Sequence, residues 1–133
     1  MRNKNHILTI QKREGRKRRT RSKIIGTVDC PRLSVFRSLK HISVQLIDDA
    51  HHNTLISMNE NGLSKNDAES IDIKNKDLYG TKNMISAYKV GFLLAKQALS
   101  NNIKSAIFDR GYYRYHGRVE AVANGARDGG LII

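Results

Sequence analysis

Twelve residues near the start of the chain, Lys12 to Lys23 (KREGRKRRTRSK), carry eight basic side chains, one acid and no apolar side chain. Such a stretch cannot enter a hydrophobic core, because burying unpaired cations costs more than apolar contact returns. Nor can it dock as an amphipathic helix, since it has no apolar stripe to turn inward. In this 133-residue chain the core must therefore come from the residues beyond Lys23. Gly26 and Cys30-Pro31 close the basic stretch, the proline biasing the residue before it toward extended backbone. The reading is a basic N-terminal arm over 1–31 and one domain over 32–133. Residues 1–10 (MRNKNHILTI) show no clear period and read as a loosely ordered start.

The charge is segregated as well as large. Residues 1–40 hold 13 Lys and Arg against Glu14 and Asp29, a net of +11, out of a formal net charge of +12 for the whole chain. The remaining 93 residues are close to neutral, at +1. Like charges crowded in this way repel one another unless a polyanion relieves them, so nucleic acid is the partner implied. Arg and Lys are good helix formers, and no proline interrupts the run. We read the arm as disordered alone and helical once phosphates neutralise it. A membrane surface would need an apolar helix face, which Lys12–Lys23 lacks, so no membrane partner is expected. The single cysteine, Cys30, excludes an internal disulfide and reads as a small buried apolar residue.

From Arg32 the pattern has period two. Leu33, Val35 and Arg37 alternate with Ser34, Phe36 and Ser38, and Ile42, Val44 and Leu46 alternate with Ser43, Gln45 and Ile47. Asp48-Asp49-Ala50-His51-His52-Asn53 is turn chemistry, and Thr54 to Met58 reads as a third strand of an antiparallel meander. Residues 59–81 are polar and read as a long surface loop with at most a helical turn. Thr81 can cap a helix reaching about Asn101, with Met84, Tyr88, Gly91, Ala95 and Ala98 on one stripe. Ile103 to Asp109 then reads as a short strand, parallel to a neighbour because a helix precedes it. Arg118 to Gly129 reads as a second helix, facing in through Val119, Val122, Ala123 and Ala126. The fold class is α/β (α+β): a small mixed sheet of about four strands in the order β-β-β-α-β-α, with helices packed on one face.

Two groups of residues carry chemistry. The arm's Lys12, Arg13, Arg16, Lys17, Arg18, Arg19, Arg21 and Lys23 suit forked contact with phosphates and stacking on bases. Asp109 to Arg118 (DRGYYRYHGR) interleaves three tyrosines with three arginines and a histidine, the combination that unpaired RNA bases and their phosphates require. One or two of those tyrosines can equally be core. A metal-dependent nuclease would need Asp48, Asp49 and Asp109 as ligands with His116 as base. Asp48-Asp49 is better explained as turn residues, and Asp109 as a cap or as the partner of Arg110, Arg114 or Arg118. His41, His51, His52 and Cys30 lack zinc spacing. No phosphate-cradling glycine loop or nucleophile elbow occurs, so no enzyme activity and no cofactor is expected.

The segments RLSVFRSLKHISVQLIDD (Arg32 to Asp49), AYKVGFLLAKQAL (Ala87 to Leu99) and FDRGYYRYHGRVEAVANGARDGGL (Phe108 to Leu131) closely resemble the bacterial-type large-subunit ribosomal protein eighteen family, the 5S-rRNA-binding one. The resemblance covers roughly residues 12–133 and is most specific in Phe108-Asp109-Arg110, Tyr115-His116-Gly117-Arg118-Val119 and Ala126-Arg127. It implies the small α/β fold read above. It also implies a structural role: binding 5S rRNA, helping attach it to the large-subunit (23S-type) rRNA, and neighbouring other proteins of the central protuberance, in a bacterial cytoplasmic or an organellar ribosome. RNA contact is then expected from the arm, from an exposed sheet face around Arg32, Arg37 and His41, and from a loop with Tyr112, Arg114, Tyr115, His116 and Arg118. The 59–81 loop is longer than the family usually has, and the first ten residues extend past the usual start.

Overall fold

A computed structural model describes residues 4–133, apart from the side chain of Ala68. Strands β1 (Arg32–Arg37), β2 (Ile42–Asp48) and β3 (Asn53–Asn59) form the antiparallel meander that the alternation predicts. Leu33 pairs across from Leu46 and Val35 from Val44, so one face of the ribbon is continuously apolar and buried. Ser34, Phe36, Ser43 and Gln45 take the opposite face. A bulge between Leu46 and Ile47 shifts the register against β3. Strand β4 (Ile107–Asp109) joins the free edge of β1 in parallel, giving the order β3-β2-β1-β4. A parallel neighbour requires a crossover, and helix α3 (Lys82–Ser100) supplies it.

Helix α3 starts where its sequence says it should: the Thr81 hydroxyl accepts a hydrogen bond from the Met84 amide. It packs on β2 and β3 and also along helix α4 (Arg118–Asp128). Facing two partners, it buries Ala87, Val90 and Leu94 as well as Tyr88, Gly91, Ala95 and Ala98 from the expected stripe. Val119, Val122, Ala123 and Ala126 of α4 are buried as expected. The two helices meet through glycine. A Cβ added at Gly91 would run into the Val122 carbonyl, and one at Gly125 into the Tyr88 carbonyl.

Several expectations from sequence need correcting. Residues 4–10, read as part of a loose start, are helical, because α1 runs Lys4–Arg21; residues 1–3 of that start lie outside the described residues. The segment Ile103 to Asp109 is strand only over its last three residues, although Ile103 and Ala106 are buried ahead of it. Residues 59–81 are not simply a surface loop. A 3-10 turn (Glu60–Gly62), helix α2 (Lys65–Glu69) and a second 3-10 turn (Lys76–Leu78) break it up, and Ile71 and Tyr79 anchor it in the core. Its polar composition hid these two widely spaced anchors. Cys30 is half-buried rather than buried; it lies in a turn closed by the Thr27 amide donating to its carbonyl. No helix among the described residues is long and apolar enough to cross a membrane.

The glycine contact gives a direct check. Gly91→Ala or Gly125→Ala should lower stability by about 1–3 kcal/mol through forced separation of α3 and α4. Gly15→Ala, in α1 with open space around it, should be neutral or stabilise by up to about 1 kcal/mol. Urea denaturation of the three variants measures both.

Candidate nucleic-acid interface

Helix α1 buries none of its residues, and so apolar packing does not hold it. Arg18, Arg19 and Arg21 fall in its last turn, where positive charge is favoured by the exposed carbonyls at a helix C-terminus. Arg21 and Arg13 tie it to the domain. The Arg21 Nε donates to Asp109 Oδ2 at 2.8 Å, and the Arg13 guanidinium lies 5.4 Å above the centre of the Tyr112 ring.

Asp109 is fully buried at the end of β4, where its carboxylate collects its neighbours. Oδ2 accepts from Arg21 and also from Arg32 Nη1, again at 2.8 Å, while Oδ1 accepts from the Gly111 amide. The rest of the Arg32 guanidinium forks onto Asp49, with Nε and Nη2 donating at 2.9 and 2.8 Å. Asp49 in turn accepts from the Gly26 amide, which stitches the linker after α1 to the end of β2. The Arg32 hydrogen bonds, opposed by partial burial and helped by the Gly26 amide, hold the Asp49 carboxyl at about 2 instead of its ordinary 3.8. Arg32 is pushed the other way, chiefly by the same bond to Asp49.

This cluster corrects two expectations. Arg32 does not stand on an exposed sheet face; it is 9% exposed and its donors are committed to Asp49 and Asp109. Asp109 pairs with Arg21 and Arg32, not with Arg110, Arg114 or Arg118. Parallel pairing of Leu33 with Phe108 puts Arg32 and Asp109 on neighbouring strands, which no local spacing reveals. Asp48, the third carboxylate weighed for metal binding, is buried at the end of β2, accepting from the Ala50 amide and lying 2.6 Å from His51 Nδ1. Burial pushes its carboxyl up, but these bonds outweigh that and leave it lowered. Among the described residues, no group of three or more His, Cys, Asp or Glu side chains is arranged to hold a metal ion.

The segment after β4 sorts its aromatic residues by function. Tyr113 is core: its hydroxyl accepts from the Arg37 amide and donates to the Arg37 carbonyl, pinning the end of β1. The Arg37 side chain is exposed and lies 5.1 Å over the Tyr113 ring. Half-buried Tyr112 has Tyr113 against it (4.3 Å between centroids) as well as Arg13, so its ring helps to seat the arm. Tyr115 is 41% exposed, edge-on to Phe108, with its hydroxyl accepting from Arg127. Arg114 and His116 beside it are exposed, His116 lying 3.8 Å from Glu120. Gly117 turns the chain into α4 at φ +62, a backbone region that side chains disfavour. Arg118, expected at an exposed helix start, is half-buried and donates from Nη2 to the Ser38 carbonyl, so it braces the β1–β2 turn.

His41 is exposed on that turn, 3.8 Å from Glu60. Beside it, sequence reasoning missed Phe36, which is 61% exposed on the outer sheet face next to Arg37. Its signal was available: a large aromatic in the outward phase of a period-two strand. The arm, Arg37, His41, Phe36 and the Arg114–His116 segment together offer cations and an open ring, the chemistry that binds RNA backbones and unpaired bases.

The Arg32 cluster makes two measurable demands. Arg32→Met leaves Asp109 buried with Arg21 alone and should cost about 3 kcal/mol, whereas Arg18→Met on exposed α1 should stay within about 0.5 kcal/mol. Because the Asp49 carboxyl titrates lower in the folded chain than its ordinary 3.8, its contribution is complete above about pH 4 and fades as pH falls toward 2. Asp49→Asn should therefore lose on the order of 1–2 kcal/mol at pH 7 and melt closer to the unmodified chain at pH 2.5. Thermal melts at the two pH values read the difference.

The model of ribosomal L18 of archaea, bacteria, mitochondria and chloroplasts matches residues 8–133, which takes in most of α1, the whole sheet and the segment after β4. The large ribosomal subunit protein uL18 of Thermotoga petrophila is 46% identical over 122 residues, covering 91% of this chain and 92% of that protein. That of Solibacter usitatus is 45% identical over 128 residues, with 94% and 98% covered. That of Bacillus cytotoxicus is 46% identical over 119 residues, with 90% of each chain covered. A match over residues 8–133, together with relatives 45–46% identical over 90% or more of the chain, places it in one family: it belongs to the ribosomal L18 family of large-subunit ribosomal proteins.

Proposed function

We propose that this chain binds 5S rRNA as a structural component of the large ribosomal subunit, and helps attach it to the 23S-type rRNA in the central protuberance, beside other proteins of that region. The observation that carries the reading is a surface of cations without acidic partners. Among the described residues, no carboxylate lies within ion-pair distance of Lys12, Arg13, Arg16, Lys17, Arg18, Arg19 or Lys23. Asp109 and Asp49, which stand where the arm meets the domain, are spent on Arg21 and Arg32. Such a surface is a liability until a polyanion covers it.

The contact residues we assign are the arm's cations, Arg37, His41, Phe36, Arg114, Tyr115 and His116. Arg32, Tyr112 and Arg118 support them from behind. The arm is seated on the domain through Arg13 and Arg21, both in the second half of α1. We assign to RNA the neutralisation of the first half, which is helical but makes none of these seating contacts. The role is structural rather than catalytic, since Asp48, Asp49 and Asp109 are each bound up in holding the fold. The bacterial relatives support a bacterial ribosome.

Removing residues 1–24 tests the reading. The truncated chain should bind 5S rRNA more weakly, and the slope of log affinity against log salt should fall by roughly 0.7–0.9 for each phosphate the arm no longer neutralises. An unchanged slope would remove the arm from the interface. Sedimentation of the intact chain with large subunits checks the setting; a pool that never joins the subunit would argue for a binder outside the ribosome.

A further inference from the structure

A cleft of about 200 Å³ lies between α1 and the start of the segment after β4, lined by Arg16, Arg19, Thr20, Arg110, Gly111 and Tyr112. It is smaller than the roughly 300–1,000 Å³ of sites for drug-sized ligands, and suits a single small anionic group. Arg16, Arg19 and Thr20 share one face of α1 because they stand at i, i+3 and i+4. Arg110 approaches from the other wall, oriented by its Nη1 donating to the Tyr113 carbonyl at 3.0 Å. Among the described residues, none of these three arginines has a carboxylate partner. The Gly111 amide is already given to Asp109 and so is not a donor for the cleft. That leaves three arginines without carboxylate partners among the described residues, lining one space from two walls.

Like charges do not assemble this way by attraction to one another, so something must hold the walls in place. Arg21 on Asp109 and Arg13 on Tyr112 do so: one contact lies on each side of Arg16 and Arg19 along α1. The arrangement is therefore set before any ligand arrives, which lowers the ordering cost of binding.

We propose that this cleft is a phosphodiester site, in which one backbone phosphate of the bound rRNA is shared by Arg16, Arg19 and Arg110. The inference rests on the rRNA-binding reading above and sharpens it: the arm and the segment after β4 grip the same phosphate instead of contacting RNA independently. Arg110, outside the residues assigned to RNA from the sequence, becomes a specific contact. A shared ligand makes its holders interdependent, whereas separate phosphates make their effects multiply.

The test is a double-mutant cycle on RNA affinity with the full chain. Arg16→Ala and Arg110→Ala should each weaken binding by about tenfold, the scale of a charge-assisted hydrogen bond. The Arg16→Ala/Arg110→Ala pair should fall well short of a hundredfold loss. Arg18→Ala, exposed on α1 and outside the cleft, combined with Arg110→Ala should give the full product. Thermal melts of each variant confirm that it is folded. Strict multiplication for Arg16 and Arg110, or no effect of Arg110→Ala, would overturn the proposal. If Arg110→Ala left naked rRNA binding intact and weakened only entry into whole subunits, the cleft would hold an acidic group of a neighbouring protein, which also overturns it. The cycle is run on 5S rRNA and on the large-subunit rRNA. Binding only to the latter refutes the 5S reading while still deciding the cleft.

Discussion

A carboxylate with no access to water has to be neutralised where it stands, and Asp109 is neutralised by two arginines that would otherwise have no cause to meet. Arg32 begins β1, and Arg21 ends a helix that buries none of its residues. Through Asp109 the strand, the helix and the turn after β4 share one set of hydrogen bonds. Asp49 extends the set to the end of β2 and to the linker at Gly26. A cluster of this kind contributes less to net stability than its bond count suggests, because the charges must first be desolvated. What it supplies is geometry. Without it α1 would be a tethered cationic tail; with it, the tail has a direction.

That direction is what turns two sequence features into one surface. The arm alone gives affinity of a general, salt-sensitive kind, and the Arg114–His116 segment alone gives a few side chains on a turn. With α1 seated on Asp109 and Tyr112, the arm's donors hold a fixed position against the start of the segment after β4, and a polyanion that matches the spacing gains over one that does not. The tyrosines show how the chain divides the work: Tyr113 is structural, Tyr112 seats the arm and Tyr115 stands toward solvent. Arg127 and Phe108 steady Tyr115 from two sides, so its half-exposed ring is held in place.

Much of the fold could be read from the chain because it obeys local rules. The meander comes from alternation at Leu33–Val35 and Ile42–Leu46, α3 from the Thr81 cap and its apolar stripe, and the parallel placement of β4 from the helix before it. The interface was legible in composition more than in position. The arm and the aromatic segment stand out, but Arg32 and Tyr112 looked like contact residues for the same reason that Arg114 does. Nothing local separates them, since pairing of β1 with β4 buries Arg32, and the seating of α1 brings Arg13 over the Tyr112 ring. Phe36 lies in the outward phase of β1, where period-two alternation alone does not separate an open ring from a packed one. The 59–81 segment hid its anchors, Ile71 and Tyr79, in a polar background with no period to connect them.

If Asp109 gives α1 its direction, the arm and the segment after β4 meet RNA as a single surface. Crosslinking the intact chain to 5S rRNA, with residue and nucleotide both identified, tests this most directly. Crosslinks from α1 and from Arg114–His116 should fall on neighbouring nucleotides of one RNA site. Crosslinks from the two elements to remote parts of the RNA, or from one element alone, would contradict it.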